Sequence, residues 1–294
     1  MFENYQKITQ PYILELEDNL QVLLRDNSNE LECEILGFLF AKSKRLRPIF
    51  TYLCALLLGC KIDEDVQNLA LCIELLHSAT LVHDDILDES KFRREKETFF
   101  NLFGAKKAVV IGDYLLSLSL LVLSGIKNQK VVEIFAKNVL KTINGEINQF
   151  NNCFEFQDKK SYFEKSANKT ASLFVCAALG VCELKSADEK TRQCLKDFAL
   201  KFGTAFQLKN DIENFENNCD DIKNGIFTLC AIYYKRKNPN CDIIEMQKDE
   251  KQSCIFEALK DLDNLLDEAV EILNKNFNSD AKKYFLTLCE KIRG

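Results

Sequence analysis

Residues that break helices are scarce in this chain. Only 3 prolines and 10 glycines occur among its 294 residues. Leu, Lys, Glu and Ala, which are abundant, favour helices, whereas a strand-rich fold with many tight turns needs more Gly and Pro. The sequence therefore predicts an all-α fold.

Apolar side chains recur at helical spacing along nearly the whole chain. Residues 255–273 form one apolar stripe with steps of three and four positions: Ile255, Phe256, Leu259, Leu262, Leu266, Ala269 and Leu273. Such a stripe is the buried face of an amphipathic helix. No repeat, low-complexity tract or linker interrupts the pattern, so we expect a single domain over residues 1–294.

Charge and apolar patterning exclude several functional classes. The net charge of -6 gives no basic surface for nucleic acid. The N-terminus lacks a basic segment followed by an apolar one, so we expect no signal peptide and a cytoplasmic location. The apolar stretches 49–60 and 114–123 are shorter than the roughly 18 residues of a membrane span. We therefore predict no transmembrane segment.

The 13 cysteines are scattered singly, and no C-x-x-C pair occurs. Their odd number and spacing indicate neither a disulfide framework nor a zinc site. In a reducing compartment such residues behave as small apolar side chains of the core.

A cluster of opposite charges follows the apolar run at residues 66–82. Asp84 and Asp88 are four residues apart and share one face of a helix, with Asp85 at the flank. Like charges in a poorly solvated place require a cation, and Mg²⁺ takes one or two carboxylates together with phosphate oxygens. Arg93 and Arg94 follow, so the pattern predicts a phosphorylated substrate held by metal and guanidinium. The alternative is a solvated, acidic helix end.

Three other segments carry polar residues of the same kind. Lys44, Arg45 and Arg47 precede an apolar helix, with Pro48 in its first turn, which is typical of an anion site. Lys169 and Thr170 interrupt a helix whose other residues are mostly small and apolar, so a partner for the lysine is expected. A second, weaker acidic cluster ends another apolar segment, at Gln207, Asn210, Asp211, Glu213 and Asn214.

Taken in order, these segments resemble the motifs of the trans-polyprenyl diphosphate synthases over nearly the whole chain. Each motif is weak alone, but the joint order is specific. The matching motifs are K-R-x-R-P (44–48), D-D-x-x-D with R-R (84–88, 93–94), G-D-Y-L-L (112–116), G-E-x-x-Q (145–149), K-T-A (169–171) and F-Q (206–207).

This resemblance implies a helical bundle around a central cavity, with two aspartate-rich helix ends facing each other across its mouth, and a homodimer. It implies Mg²⁺ and two substrates, isopentenyl diphosphate and an allylic diphosphate. By position, the metal ligands would be Asp84, Asp88, Asn210 and Asp211. Lys169, Thr170 and Gln207 would line the reacting carbons, with Lys169 contacting diphosphate. Arg93 would contact the allylic diphosphate, while isopentenyl diphosphate would be held by Lys44, Arg47, His77 and Arg94.

The chain departs from the family pattern in its second acidic cluster. Asn210 and Asn214 stand where the family usually has aspartates, and Ile226 stands where a lysine is typical. Lys209 and Lys223 are possible substitutes for that lysine. We expect the first metal cluster to be intact and the second to be impaired.

Product length and activity class leave alternatives open. Ala79 and Thr80 precede Asp84 by about one turn and are small where short-chain members usually carry aromatic residues, which resembles medium- and long-chain synthases, octaprenyl diphosphate synthase being the nearest type. Small residues there also suit close helix packing. The alternatives are a short-chain synthase, a catalytically impaired subunit and a terpene cyclase. Four basic residues argue against a cyclase, since only a condensing enzyme needs a second diphosphate site: Lys44, Arg47, Arg93 and Arg94.

Overall fold

The structure is a computed structural model that describes residues 4–27, 29–41, 43–217, 220–243 and 246–294. Helices account for nearly all of its regular structure, as the scarcity of Gly and Pro predicts. In chain order they are α1 (Asn4–Asp26), α2 (Glu32–Leu39), α3 (Leu46–Leu57), α4 (Glu64–Leu87), α5 (Phe99–Gly125), α6 (Gln129–Asn151), α7 (Lys159–Ser166), a π-helical segment (Ala167–Ala171), α8 (Ser172–Leu184), α9 (Glu189–Asn217), α10 (Asp220–Lys223), α11 (Leu229–Lys237), α12 (Lys248–Asn276) and α13 (Lys282–Arg293). The all-α prediction is confirmed.

The one hairpin in the described chain lies between α4 and α5. Its strands, β1 (Phe92–Arg93) and β2 (Lys96–Glu97), are antiparallel, with Phe92 opposite Glu97 and Arg93 opposite Lys96. Residues 92–97 contain no Gly or Asn, the residues that usually indicate such a turn. It was not predicted.

Contacts divide the chain into two compact units, each with its own apolar core. The first unit contains the chain up to Glu133 and Gly180–Ala187; the second contains Ile134–Leu179 and Asp188–Gly294. In the first unit, α5 packs along α4 and α3 packs on α4. In the second, α12 packs along α9, and α9 packs on the π-helical segment. A single domain over the whole chain stays a prediction.

The stripe at 255–273 forms part of α12, but one of its members is not in the core. Its residues Ile255, Leu262, Leu266 and Leu273 are buried, whereas 60% of Phe256 is exposed. Phe256 lies one position beyond Ile255, on the edge of the buried face. Its ring contacts the Lys260 ammonium group at 4.3 Å instead.

Two helical stretches, Phe99–Gly125 and Lys159–Leu184, are long and apolar enough to cross a membrane, judged by length and composition alone. The apolar residues 114–123 thus belong to a longer apolar helix than their spacing suggested. Core helices pass the same test, so the signal is weak. The absence of a transmembrane segment stays a prediction.

Candidate functional site

Helix α4 brings three aspartates to its carboxyl end. Asp63 caps the first turn by accepting a hydrogen bond from the Val66 amide, and Asp88 closes the last turn by donating its amide to the Asp84 carbonyl at 2.9 Å. Asp84 and Asp85 lie within that last turn. The carboxyl end is the negative end of the helix dipole, so three carboxylates there are unfavourable without a cation. The sequence places negative charge where a cation is needed.

Asp85 is the buried member of this group. Only 1% of the residue is exposed, and its Oδ1 accepts a hydrogen bond from Arg93 Nε at 2.7 Å. Burial raises the pKa of Asp85, while Arg93 lowers it and Asp88 adds to the rise. The second oxygen, Oδ2, is buried and has no hydrogen-bond partner within the described residues. A buried acceptor without a donor fits a bound water or a hydrated cation.

The end of α4 suits a cation that keeps most of its water. Asp84 is partly exposed and Asp88 is exposed. Among the described residues, no three His, Cys, Asp or Glu side chains already converge on one point. Mg²⁺ needs only one or two protein carboxylates, because waters and phosphate oxygens complete its shell. These residues therefore fit Mg²⁺.

A buried ion pair fixes the segment that precedes α3. Arg45 adopts a left-handed backbone conformation, with φ of 48°, directly before the first turn. Its Nη1 lies 2.9 Å from Glu74 Oε1, and its Nε lies 3.3 Å from Glu17 Oε1. Ser43 donates to the same Glu74 oxygen at 3.2 Å. Glu74 is buried on α4, so it ties residues 43–45 to that helix and fixes the start of α3, whose second residue is Arg47.

Sequence reasoning missed Glu74, although a signal for it exists. It is the one carboxylate in the otherwise apolar run 69–76. A buried carboxylate needs a cation beside it. The K-R-x-R-P segment was the candidate, but only the folded chain shows that Arg45, rather than Lys44 or Arg47, forms the direct pair.

Three of the predicted substrate-binding residues are close enough to influence one another. Desolvation lowers the pKa of Arg47 to about 10, with Glu74 raising it and Arg94 lowering it. Arg47 therefore stays charged at neutral pH. Desolvation, and then the charges of Arg47 and Arg94, hold the pKa of His77 well below 6.5. His77 is therefore neutral at pH 7 and can bind an anion by donating a hydrogen bond, but not through a positive charge.

The hairpin positions the two arginines that follow the aspartates. Arg94 and Glu95 occupy its turn with φ of 52° and 67°, a conformation that Gly or Asn usually supplies. The Arg94 guanidinium donates to the Ala41 carbonyl at 3.0 Å, and Lys96 donates to the Gly37 carbonyl at 3.0 Å. Backbone strain of this kind often marks functional sites.

A cavity of about 300 Å³ lies within the first unit beside these residues. Its polar wall includes His77, Arg93 and Arg94, and its apolar wall includes Phe38 and Phe99. Two of the predicted substrate-binding residues, Lys44 and Arg47, do not line it, and Lys44 is exposed. The structure thus gathers three of the five predicted substrate contacts around one cavity.

The two residues predicted to control product length differ in their surroundings. Ala79 is 2% exposed, whereas Thr80 is partly buried and donates its hydroxyl to the His77 carbonyl at 2.7 Å. Their effect on product length stays a prediction.

In the second unit, two of the three predicted catalytic residues lie on an irregular stretch of helix, and the third, Gln207, lies on α9. Residues 167–171 form a π-helical turn inside the longer helix 159–184, and this turn carries Lys169 and Thr170. A Cβ atom on Gly145 of α6 would lie 2.8 Å from the backbone nitrogen of Lys169. One on Gly203 of α9 would lie 2.6 Å from Ala171 Cα. Only glycine permits such close backbone approach. π-Helical turns are frequent at functional sites.

Hydrogen bonds join two of these residues to the second acidic cluster. Thr170 Oγ1 donates to Gln207 Oε1, and Gln207 Nε2 donates to Asp211 Oδ1, each at 2.6 Å. Tyr162, which sequence reasoning missed, donates to Asp211 Oδ2 at 2.6 Å. Burial raises the pKa of Asp211, although Tyr162, Lys165 and Gln207 act in the opposite direction. Each carboxylate oxygen of Asp211 accepts one hydrogen bond, so a metal ion bound there would share an oxygen that already has a donor.

Lys169 has the partner that its apolar surroundings require. Its Nζ lies 2.6 Å from Glu146 Oε2, and Gln149 donates to the other Glu146 oxygen at 3.3 Å. Both partners belong to the G-E-x-x-Q segment. The expectation of a partner is confirmed, and the motif residue that supplies it is Glu146.

The two asparagines of the second cluster have different surroundings. Asn210 is exposed, whereas Asn214 Oδ1 accepts a hydrogen bond from the Asp221 amide at 3.4 Å. Lys209, one possible substitute for the missing lysine, lies 3.8 Å from Glu213. Metal binding by Asn210 and Asp211 stays a prediction, and Asn210 is the accessible member of that pair.

Comparisons with known proteins identify the family to which the chain is similar. The sequence profile of the polyprenyl synthetase family matches residues 30–283. The chain is 33% identical to a prenyl transferase of Cyanidium caldarium over 261 residues, which covers 84% of this chain and 80% of that protein. It is 30% identical to the chloroplastic solanesyl diphosphate synthase 1 of Arabidopsis thaliana, covering 88% of this chain and 65% of that protein. The crystal structure of heptaprenyl diphosphate synthase from Staphylococcus aureus superposes with a TM-score of 0.87 at 26% identity, covering 97% of this chain and 98% of that one.

Proposed function

The chain belongs to the polyprenyl synthetase family, and from that membership we propose that it condenses isopentenyl diphosphate head-to-tail with an allylic diphosphate. The product is a medium- or long-chain polyprenyl diphosphate, and the reaction depends on Mg²⁺. Similarity to a prenyl transferase and to a solanesyl diphosphate synthase supports the proposal.

One observation carries this proposal. Helix α4 presents the aspartates at its end and His77 in a cavity with Arg93 and Arg94. His77 and Asp84 are seven residues apart, so they lie on one face of α4 about 10 Å apart along its axis. A basic cavity and an acidic helix end at that separation suit two diphosphates, which a condensing enzyme needs and a cyclase does not.

The chain's own residues perform distinct tasks in the reaction. Arg93, held by Asp85, binds the allylic diphosphate and stabilises the negative charge that develops as its C–O bond breaks. Neutral His77 and charged Arg94 hold isopentenyl diphosphate, whose double bond attacks the allylic carbon and forms the new C–C bond. The proton that is then lost passes to the released diphosphate. The linked side chains of Thr170 and Gln207 present dipoles that stabilise the carbocation.

Asp84 and Asp88 would hold Mg²⁺ in this proposal, and the buried Asp85 Oδ2 would remain beside them as a hydrogen-bond acceptor. The bound ion supplies Lewis-acid stabilisation of the leaving diphosphate. Asn210 contributes at most a neutral oxygen to a second ion.

Incorporation of labelled isopentenyl diphosphate tests the activity directly. Purified protein is incubated with Mg²⁺ and, separately, with dimethylallyl, geranyl, farnesyl and geranylgeranyl diphosphate, and extracted products are resolved by chain length. We expect primer-dependent products that disappear with EDTA. No incorporation with any primer would reject the proposal and favour an impaired subunit. A cyclic hydrocarbon made without isopentenyl diphosphate would indicate a cyclase.

The product length is proposed from the relatives and from two residues. Solanesyl and heptaprenyl diphosphate synthases are among the similar proteins, and small side chains at Ala79 and Thr80 leave room for a long tail. Thr80→Phe should shorten the product and preserve the first condensation. Ala79→Phe should act in the same direction, but its buried position makes overpacking costly. An unchanged product in a folded Thr80→Phe variant would reject this role.

We also propose a homodimer, supported by apolar faces that the chain leaves exposed. On α6, Leu140, Ile143, Ile147 and Phe150 recur at steps of three and four and are 60%, 47%, 52% and 66% exposed. On α5, Val110 and, ten residues later, Leu120 and Leu121 are also exposed. Stripes of this kind mark protein interfaces. Light scattering should show a dimer, and Ile147→Lys should give monomers; a wild-type monomer would reject the proposal.

A cytoplasmic location is proposed from cysteine chemistry. The twelve cysteines that the structure describes are free thiols. Burial raises the pKa of the Cys176 thiol to about 12, so this residue is an inert part of the core. Free thiols are typical of reducing compartments. Fractionation of cells that express the tagged protein tests this location.

A further inference from the structure

Lys165 lies one helical turn before Lys169 on the same continuous helix. It belongs to the last turn of α7, where the helix passes into the π-helical segment. Its Nζ lies 5.9 Å from the centre of the Tyr162 ring, and the charges of Asp211, Lys169, Asp221 and Glu146 all act on it. Lys165 therefore faces the hydrogen-bonded cluster of the second unit.

Two of the three carboxylates that act on Lys165 already have other donors. Asp211 accepts from Tyr162 and Gln207, and Glu146 pairs with Lys169. Lys165 Nζ forms no hydrogen bond, and no ion pair within 4 Å, with any described residue. The other two lysines of α7 each form an ion pair. Lys159 Nζ lies 2.6 Å from Asp261 Oδ1, and Lys160 Nζ lies 3.8 Å from Glu164 Oε1.

An ammonium group in this position is unfavourable in the protein alone. Two lysines four residues apart repel each other. A partly buried ammonium group without a hydrogen-bonded partner also loses hydration, which carboxylates farther than 4 Å and the Tyr162 ring replace only in part. Glu146 forms an ion pair with Lys169 but none with Lys165. An arriving anion with several negative charges would remove both costs, because it can accept from two ammonium groups at once.

We propose that Lys165 contacts the diphosphate of the allylic substrate together with Lys169, a role that rests on the proposed prenyl transfer. Lys165 is then a substrate-binding residue rather than a structural counterion of Asp211. A counterion would be needed for folding but would not alter the affinity for a diphosphate. The two roles therefore separate in a binding measurement that involves no turnover.

Calorimetric titration with inorganic pyrophosphate in the presence of Mg²⁺ makes that measurement. Lys165→Met should weaken binding by about tenfold, the loss typical of one charge-assisted hydrogen bond. Lys165→Arg, which keeps the charge, should lose much less. Lys160→Met is the matched control, because it removes an exposed lysine from the same helix, and its affinity should equal that of the wild type. Equal affinity of Lys165→Met and wild type, or no pyrophosphate binding by the wild type, would overturn the proposal.

Steady-state kinetics then identify the substrate concerned. The KM for the allylic diphosphate should rise about tenfold in Lys165→Met, while the KM for isopentenyl diphosphate stays within twofold, roughly the error of such comparisons. A rise confined to isopentenyl diphosphate would overturn the assignment. If Lys165→Met melts early, Lys165→Gln gives the same test with a polar side chain. A wild type that binds pyrophosphate but shows no turnover would reject prenyl transfer alone, since the titration still decides whether Lys165 binds diphosphate.

Discussion

The acidic residues at the end of α4 and those on α9 come from similar sequence patterns, but their carboxylates have different surroundings. At the end of α4, Asp84 and Asp88 reach solvent, and one oxygen of buried Asp85 has no donor among the described residues. On α9, both oxygens of Asp211 already accept hydrogen bonds. The neighbouring position is the neutral Asn210.

The two clusters therefore differ in exposure: Asp84 and Asp88 are open to solvent, whereas Asp211 is buried and held by hydrogen bonds within the fold. In the first unit the helix dipole disfavours negative charge at the end of α4, and Arg93 pairs with one of the three carboxylates there, that of Asp85. In the second unit, Tyr162, Gln207 and Lys169 satisfy the acids within the fold. A likeness between two motifs therefore does not establish that both bind metal with equal strength.

Removing an aspartate of the first cluster should give the largest effect. Asp84→Ala or Asp88→Ala should lower primer-dependent turnover by at least about a hundredfold, because a metal ligand is lost. The helical circular dichroism and the melting temperature should be unchanged or slightly higher, since like-charge repulsion is relieved. Asp18→Ala, an exposed aspartate of α1, is the control. Full activity in either variant would show that this cluster is only a solvated helix end.

Each unit has a glycine beside its cluster, and the two should differ in sensitivity. Gly145→Ala brings a Cβ atom within 2.8 Å of the Lys169 backbone, so we expect destabilisation by about 1–3 kcal/mol and reduced turnover. Gly112→Ala brings its Cβ against the ring of His83, a partly exposed side chain that can turn away. Its effect should therefore be smaller.

Denaturant unfolding and assays of both variants test this pair, with Gly125→Ala as the control. A Cβ atom there meets nothing within 4 Å. Equal stability of Gly145→Ala and Gly125→Ala would contradict the close helix approach beside Lys169.

The neutral histidine of the first cluster predicts a pH dependence of stability. The folded-state pKa of His77 lies well below 6.5, chiefly through desolvation and the charge of Arg47. Below pH 6.5 the unfolded chain binds a proton that the folded chain does not, so the free energy of unfolding falls as the pH falls. The loss is about 1 kcal/mol between pH 6.5 and 5.5. In urea unfolding at several pH values, His77→Gln should remove this part of the pH dependence of the free energy of unfolding. If the pH dependence is the same in His77→Gln and wild type, the pKa of His77 is not lowered by folding.

The smallest expected effect concerns Asn210, where a charge can be restored. Asn210→Asp should lower the Mg²⁺ concentration for half-maximal turnover severalfold, because a carboxylate binds Mg²⁺ more strongly than an amide. Asn214→Asp is the comparison, since Asn214 Oδ1 accepts from the Asp221 amide. Magnesium titrations that coincide for Asn210→Asp and wild type would place residue 210 outside the metal shell.

Several site residues were predictable because local sequence carries their signal. The spacing of Asp84 and Asp88 fixes their common helix face, and their position after an apolar run indicates an end of a buried helix. Glu74 and Tyr162 were not predicted, because their importance depends on partners 29 and 49 residues away, Arg45 and Asp211. The hairpin was also missed, since Arg94 and Glu95 occupy a turn conformation that their residue types do not favour.

The sequence by itself determined the helical class, the family and the identity of the charged residues, because periodicity, breaker content and motif order are local properties. Only the tertiary structure decided which charges are already compensated. Arg45 rather than Lys44 pairs with Glu74, Lys169 pairs with Glu146, and each oxygen of Asp211 accepts a hydrogen bond. Compensation depends on distance and burial between residues far apart in the chain, and a one-dimensional pattern contains neither quantity.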